Sequence, residues 1–211
     1  MFSAAALFGL GVALAVLYLP YTGRPANRRR SIRKTLPVAL FAIASSIEGA
    51  SIGLVAALGF SALGDLALSR VGTKAFLIGM IAFATAHIAY IVVMLSLGAT
   101  LDLSQWPYMV LMLAFGASTE WWLRPHTGAL IWPVRAYVLI IMAMGLVALG
   151  LPEARSMALW GALLFVISDM ILSIETFVMP SNEPRRKLAS KLVWITYIAA
   201  QIGLFWGLGV I

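Results

Sequence analysis

Long apolar stretches make up most of the sequence, and proline, glycine and clusters of charge interrupt them. Most of these stretches approach or exceed the roughly 20 residues that a helix needs to cross a bilayer. They lack the strict alternation of barrel strands, and an open sheet would leave backbone groups unsatisfied in hydrocarbon. The pattern predicts an all-α polytopic membrane protein, a bundle of eight transmembrane helices over residues 2–19, 35–48, 50–68, 74–97, 106–123, 129–150, 154–178 and 189–210.

Composition narrows the class further. Of the 211 residues, 62% are hydrophobic and 11% are charged, whereas a soluble domain is about 45–50% apolar and about 25% charged. Eight spans would use about 160 residues, so we expect a single integral membrane domain over residues 1–211 with short loops. The first apolar stretch lacks a basic leading segment, and we expect a retained helix there and not a cleaved signal.

The distribution of basic residues predicts the orientation. The chain has 15 Lys and Arg against 8 Asp and Glu. With eight helices, 13 of the basic residues fall in or beside the odd-numbered loops, and the even-numbered loops hold only Arg155. The positive-inside rule then places the odd loops in the cytoplasm and both termini outside. The alternative is a single kinked element over 35–68, which would give seven spans. The later basic clusters would then lie on the opposite side of the membrane from the first. The net charge of +7 is explained better by orientation in the membrane than by binding to nucleic acid. We therefore expect no nucleic-acid partner.

Two aspartates lie within predicted spans, where ionisable groups are costly. Asp65 in ALGDLALS and Asp169 in VISDMILS stand 104 residues apart in similar motifs, each in the cytoplasmic half of its helix. The likeness indicates a parallel repeat of four plus four helices, with the two aspartates meeting at the repeat interface. Coincidence within an apolar sequence is the alternative, and either aspartate alone could be a structural hydrogen-bond acceptor.

Paired carboxylates in a low-dielectric cavity have two recognisable uses. One can donate a proton while the other acts as a base, which is suited to hydrolysis of an acid-labile ether or enol ether. The same pair could relay protons in a membrane transporter. A metal held by Asp65, Asp169 and His87 is a third possibility, but two His and no Cys make a poor ligand supply.

Further polar side chains lie on the helices that follow. His87, Tyr137, Tyr197 and Gln201 project from the fourth, sixth and eighth predicted spans, and Arg135 lies near the cytoplasmic end of the sixth. Packing and interhelical hydrogen bonding are the competing explanation for the first four, and snorkelling to the interface is the competing explanation for Arg135.

At these residues the sequence resembles the YhhN family of eight-helix membrane proteins, the lysoplasmalogenases. The motifs that carry the likeness are FSALGDLAL, FLIGMIAFATAHIAYI, WPVRAY, GALLFVISDMIL and TYIAAQ, in this order along most of the chain. The family tends to have adjacent Lys and Pro at the start of the second helix. This chain reads Lys34-Thr35-Leu36-Pro37 instead, which weakens the expectation of a role for Lys34.

The resemblance implies hydrolysis of the vinyl ether bond of lysoplasmalogens, which releases a fatty aldehyde and a glycerophospho-ethanolamine or -choline. Its implied catalytic pair is Asp65 and Asp169, with a pocket that is lined by His87, Tyr137, Tyr197 and Gln201, and no metal or organic cofactor. The partners would be a lysophospholipid with a vinyl ether chain and membrane lipids, in the inner membrane of a bacterium.

The chemistry of a vinyl ether suits this pair. We expect Asp169, taken as the deeper of the two, to be the acid and Asp65 to be the base or cation stabiliser, although the reverse division stays open. Arg135 and the basic cytoplasmic loops would hold the lipid phosphate.

Overall fold

The computed structural model describes residues 3–209, and all regular secondary structure within that range is helical. The eight α-helices are α1 (Ala4–Tyr18), α2 (Arg28–Ile47), α3 (Ile52–Leu68), α4 (Thr73–Ser96), α5 (Trp106–Trp122), α6 (Ile131–Leu149), α7 (Ser156–Ser173) and α8 (Arg186–Leu208). The predicted all-α class is therefore confirmed. Residue 2, where the first predicted span begins, and residue 210, where the last ends, lie outside the described residues.

Among residues 3–209, five helical segments are long and apolar enough to cross a membrane, judged by length and hydropathy alone: Ala4–Tyr21, Thr73–Ser96, Gly128–Leu149, Glu153–Val178 and Arg186–Leu208. Helix α3 is apolar but shorter. Large apolar side chains such as those of Ile81, Val92 and Leu139 stay exposed on the outer faces. Exposed apolar area of this extent is expected where lipid is the solvent. These features define an integral membrane protein.

The start of α2 differs from the sequence prediction. The helix begins at Arg28 and not near residue 35, so most of the first basic cluster lies on a helix and not in a loop. Asn27 caps this end, because its side-chain oxygen accepts a hydrogen bond from the Arg30 backbone N–H at 2.8 Å. The alternative of one kinked element over 35–68 is wrong, since α2 and α3 are separate helices with Gly49 at φ +74° between them.

Small residues allow the helices to pack closely around the polar interior. Helix α7 lies against α8, and α3 against α4. A side chain at Gly161 would come within 2.8 Å of the Leu204 backbone nitrogen, so α7 and α8 meet nearly backbone to backbone there. Gly64, beside Asp65, likewise lies against the ring of Phe83 of α4. These contacts fix the axial positions of both aspartate-bearing helices relative to their neighbours.

Helix α7 does not end as a regular α-helix. Its last turn, Ile174–Val178, is π-helical. Single π-helical turns occur frequently at functional sites, because the extra residue re-aims the side chains that follow it. Here the turn lies at the same end of the bundle as the first residues of α2 and α8.

Candidate active site

A cavity of about 200 Å³ lies among α2, α3, α4, α7 and α8, and Tyr18 at the end of α1 also lines it. Asp65 and Asp169 both line it. We call it the polar cavity. Its other charged lining residues are Arg30, Lys34, Glu175 and Arg186. The fold therefore brings the two sequence-related aspartates to one space, although they are 104 residues apart.

The first aspartate is enclosed by protein. The Asp65 side chain is 2% exposed, and its two oxygens have different partners. The Tyr197 hydroxyl of α8 donates to Oδ2 at 2.7 Å, and the Lys34 ammonium of α2 lies 3.4 Å from Oδ1. A buried carboxylate requires such compensation, because an unpaired charge in this setting would be strongly destabilising.

Lys34 is the clearest residue that the sequence interpretation undervalued. Its spacing from Pro37 weakened the expectation of a role, yet its ammonium is the cation of the Asp65 site. Lys34 lies inside α2, one helical turn after Arg30. Both residues line the polar cavity. The i, i+4 spacing of these two basic residues was the available signal.

The second aspartate has a different set of partners. The Tyr137 hydroxyl of α6 donates to Asp169 Oδ2 at 2.5 Å and lies 2.9 Å from His87 Nε2 of α4. A hydroxyl that donates to the carboxylate accepts from the imidazole, so His87 carries its proton on Nε2 in this arrangement. His87 Nε2 itself is 3.6 Å from Asp169 Oδ2. Within residues 3–209, the side-chain hydrogen bond and the ion pair of this carboxylate both use Oδ2.

The two carboxylates differ in burial. The Asp169 side chain is 14% exposed, whereas that of Asp65 is 2% exposed. The reason is that Asp65 faces two neighbouring helices that supply polar groups to both of its oxygens. Asp169 instead borders the polar cavity on one side and smaller, mainly apolar cavities on the other.

Aromatic rings connect the two aspartate sites. The Phe165 ring of α7 lies 4.6 Å from the His87 ring and 5.4 Å from the Tyr197 ring, measured between centroids. Phe83 of α4 packs edge-on against Tyr197 at 5.7 Å. All four side chains are buried. The hydrogen-bonding groups are therefore held by a rigid aromatic core, and not by mobile loops.

Gln201 and Arg135 occupy more distant positions. Gln201 is buried on α8, where its Oε1 accepts a hydrogen bond from Tyr90 at 2.6 Å, and it does not line the polar cavity. Arg135 makes a two-pronged ion pair with Glu120, at 2.8 and 2.6 Å, on a half-exposed surface of α5 and α6. The structure thus gathers Asp65, Asp169, Tyr197, Tyr137 and His87 together and places Arg135 apart.

A second space adjoins Asp169. It measures about 50 Å³, lies among α3, α4, α6 and α7, and is mainly apolar. We call it the apolar pocket. Its lining includes Met80, Val134, Val138, Leu172 and Phe177. Asp169 borders both this pocket and the polar cavity, and so stands where a polar and an apolar part of one ligand would join.

The metal alternative has no geometric support in the described part of the chain. No three His, Asp or Glu side chains within residues 3–209 cluster closely enough to hold a metal ion. Of the carboxylates in the described residues, His87 pairs only with Asp169, and the partners of Asp65 are a lysine and a tyrosine.

A bundle of apolar helices around a cavity with two carboxylates defines a helical membrane protein with a buried polar site. Comparison with known proteins gives the family: the chain belongs to the YhhN family, whose sequence profile matches residues 29–208. The resemblance seen in the sequence motifs is thereby confirmed.

Three relatives illustrate the likeness. Human lysoplasmalogenase TMEM86B is 36% identical over 173 residues, which cover 80% of this chain and 70% of that protein. The lysoplasmalogenase of Mycobacterium bovis is 33% identical over 182 residues, covering 81% and 67%. Lysoplasmalogenase TMEM86A of Bos taurus is 33% identical over 162 residues, covering 72% and 61%. No solved structure matches the chain.

Proposed function

We propose that this protein is a lysoplasmalogenase, which hydrolyses the vinyl ether bond of alkenyl-glycerophosphoethanolamine or -choline to a fatty aldehyde and a glycerophospho-head group. The observation that carries the proposal is the shared cavity of Asp65 and Asp169, with Asp169 also bordering the apolar pocket. The relatives that are named lysoplasmalogenase support it. Asp65 and Asp169 are the proposed catalytic residues, and no metal or organic cofactor takes part.

The two spaces suggest how the substrate lies. The alkenyl chain enters the apolar pocket, and the head group lies at the charged end of the polar cavity, near Arg30 and Arg186. The vinyl ether then falls beside Asp169, where the two spaces meet. In this orientation the carbon that must be protonated lies on the chain side of the ether oxygen. Tyr137 and Tyr197 hold the carboxylates in position, while His87 and Gln201 support those tyrosines and the buried polar network.

The first chemical step is transfer of a proton from Asp169 to the β-carbon of the vinyl ether. A new C–H bond forms from the π electrons, and the positive charge is shared between the α-carbon and the ether oxygen. The Oδ1 atom is suited to this transfer, because the contacts with Tyr137 and His87 both use Oδ2. A general acid in a water-poor site accelerates such a step by about 10²–10⁴-fold.

The second step is attack of water on the oxocarbenium carbon. Asp65 accepts a proton from this water, and a hemiacetal forms. The hemiacetal then loses its hydroxyl proton as the C–O bond to glycerol breaks, and the glycerol oxygen gains a proton. Aldehyde and alcohol leave, and one proton passes from Asp65 back to Asp169. Lys34 and Tyr197 hold the Asp65 carboxylate for this role.

We propose the following membrane arrangement for this site. All eight helices cross the bilayer, both termini lie outside, and residues 1–211 form one integral membrane domain in the inner membrane of a bacterium. The polar cavity then opens to the cytoplasmic side, where the basic residues are concentrated. Arg135 and its neighbours would face anionic lipid there.

A parallel repeat of four plus four helices accounts for the pairing of the site. Asp65 of α3 contacts Tyr197 of α8, and Asp169 of α7 approaches His87 of α4. Helices α2 and α6, which precede the two aspartate helices, supply the second partner of each. The two halves thus exchange contacts reciprocally, as a repeat with a rotation axis between its halves would require.

A proton-coupled transporter is the second candidate. The observation that favours it is the buried pair of Tyr90 and Gln201, at 2.6 Å, which lies one helical turn beyond Tyr197 on α8. This pair continues the row of polar groups that begins at Asp65, in the direction away from Arg30 and Arg186. Transport, however, has no use for an apolar pocket beside Asp169.

The deciding experiment uses purified protein in lipid nanodiscs with an alkenyl-glycerophosphoethanolamine. We expect equimolar release of fatty aldehyde and glycerophosphoethanolamine, and none from the matched saturated alkyl ether, which has no carbon to protonate. Proteoliposomes with an internal pH dye test the rival function. Absence of aldehyde above the spontaneous rate, together with a proton flux that substrate or ion gradients drive, would overturn the hydrolase in favour of the transporter.

A further inference from the structure

One acidic side chain of the polar cavity is not used by the reaction described above. Glu175 lines the cavity from the π-helical turn Ile174–Val178 and is half-buried. The Ser190 hydroxyl of α8 donates a hydrogen bond to its Oε1. The π-helical geometry aims this carboxylate toward α8 and the cavity, near the end where the basic residues lie.

Within the described part of the chain, the Glu175 carboxylate has no cationic partner, although two arginines line the same cavity. None of the ion pairs within residues 3–209 involves it. Arg186 does reach the same turn, but its Nη1 donates to the backbone oxygens of Glu175 and Met179, at 2.5 and 2.9 Å, and so braces the turn itself. A carboxylate that is held by a hydroxyl and a braced backbone is a preformed acceptor for a ligand cation.

Two arginines, Arg30 and Arg186, supply positive charge at the same end of the cavity as Glu175. Arg30 is half-buried and makes one long hydrogen bond from Nη1, to the Ser69 backbone oxygen at 3.4 Å. Together with Arg186 it supplies guanidinium donors, which match the geometry of phosphate oxygens. The cavity therefore presents both signs of charge in one place, as a zwitterionic ligand requires.

We propose that Glu175, Arg30 and Arg186 form a head-group subsite that selects a phosphate bearing a primary ammonium, of the ethanolamine type, over one bearing a quaternary ammonium. The inference rests on the proposed function and specifies its substrate. The arginines bind the phosphate, and the Glu175 carboxylate accepts hydrogen bonds from the ammonium. A quaternary ammonium has no N–H to donate and is recognised best by aromatic faces. The group that Glu175 and Ser190 offer is instead a hydrogen-bonded carboxylate.

The test compares Glu175→Gln with the wild type on three substrates that share one alkenyl chain: the phosphoethanolamine, the phosphocholine and the bare phosphate. We expect kcat/KM for the phosphoethanolamine to fall about tenfold or more, mainly through KM, because a charge-assisted hydrogen bond is lost. The values for phosphocholine and bare phosphate should change by less than about threefold. Glu183→Gln is the matched control, since Glu183 lies on the following loop and pairs with exposed Arg185 at 3.9 Å.

An equal loss of kcat/KM on all three substrates, or no loss on any, overturns the head-group subsite. Neither result contradicts the proposed hydrolase activity. Because Gln could disturb the turn, Glu175→Asp is measured beside it and should retain the preference for ethanolamine in weakened form. Affinity for the saturated alkyl ethers of phosphoethanolamine and phosphocholine is a readout that needs no hydrolysis. Equal affinity of the wild type for the two overturns the subsite, whether or not the vinyl ether is cleaved.

Discussion

The two aspartates have similar sequence motifs and different surroundings. Asp65 is enclosed, with a lysine on one oxygen and a tyrosine on the other. Asp169 is partly exposed, contacts its partners through one oxygen, and borders the apolar pocket. The comparison shows that similar motifs place two carboxylates in the bundle, and that the neighbouring helices give each carboxylate a different environment. We expect the two environments to suit different catalytic roles. A carboxylate with a fixed cation suits a base, and one with a free oxygen beside apolar space suits an acid.

Removal of either carboxylate should have the largest effect. Asp169→Asn and Asp65→Asn each remove one half of the acid–base pair, so we expect aldehyde release to fall by about 10²–10⁴-fold. Initial rates at saturating alkenyl-glycerophosphoethanolamine measure this. Asp102→Asn is the control, because the Asp102 side chain is exposed and, among the described residues, hydrogen-bonds only with Ser104. Full activity in both aspartate variants would remove the catalytic role from the pair.

The cation beside Asp65 should come next. Lys34→Met leaves a buried carboxylate with Tyr197 as its only partner in the described residues, so we expect about 10–100-fold lower activity and a loss of about 1–3 kcal/mol in stability. Thermal unfolding in detergent and the aldehyde assay measure the two effects. Lys34→Arg should recover part of both, and exposed Lys191→Met should change neither. Full activity of the Lys34→Met protein would mean that Asp65 does not need a cation beside it, and would contradict the contrast with Asp169.

The tyrosines should separate the sites more finely. Tyr137→Phe deletes the only hydrogen bond to the Asp169 side chain in residues 3–209 and disconnects His87, so we expect about tenfold lower kcat. Tyr197→Phe leaves Lys34 on Asp65 and should lower kcat by about threefold. Steady-state kinetics of the two variants check this order. Equal losses of kcat in the two variants, or a larger loss in Tyr197→Phe, would contradict the assignment of different roles to Asp65 and Asp169.

The smallest effect is expected at Arg135. Its ion pair with Glu120 is about one third exposed on both sides, and pairs of this kind contribute about 0–1 kcal/mol. Arg135→Gln should therefore change kcat/KM by less than about threefold. A loss comparable with that of Arg30→Gln, measured in parallel, would mean that the phosphate lies near α6 and not in the polar cavity.

Sequence reasoning reached the helices and the aspartate pair because both leave local signals. Apolar length predicts a helix, and a carboxylate inside such a stretch is conspicuous on its own. The order of burial of Asp65 and Asp169 leaves no such signal, since it depends on which helices pack against each. The expected role of Lys34 was weakened by its separation from Pro37, and a comparison of motifs cannot show that Lys34 of α2 lies beside Asp65 of α3. The ion pair of Arg135 with Glu120 likewise leaves no local signal, because Glu120 lies on a different helix.

The most direct test of the central claim is the configuration of the product formed in D₂O. The aldehyde is reduced as it forms, and the position and handedness of deuterium in the resulting alcohol are determined. Proton delivery by a fixed Asp169 to one face of the vinyl ether predicts one deuterium at carbon 2 in a single configuration. An equal mixture of both configurations would mean that the carbon is protonated in free solution, and would contradict the account.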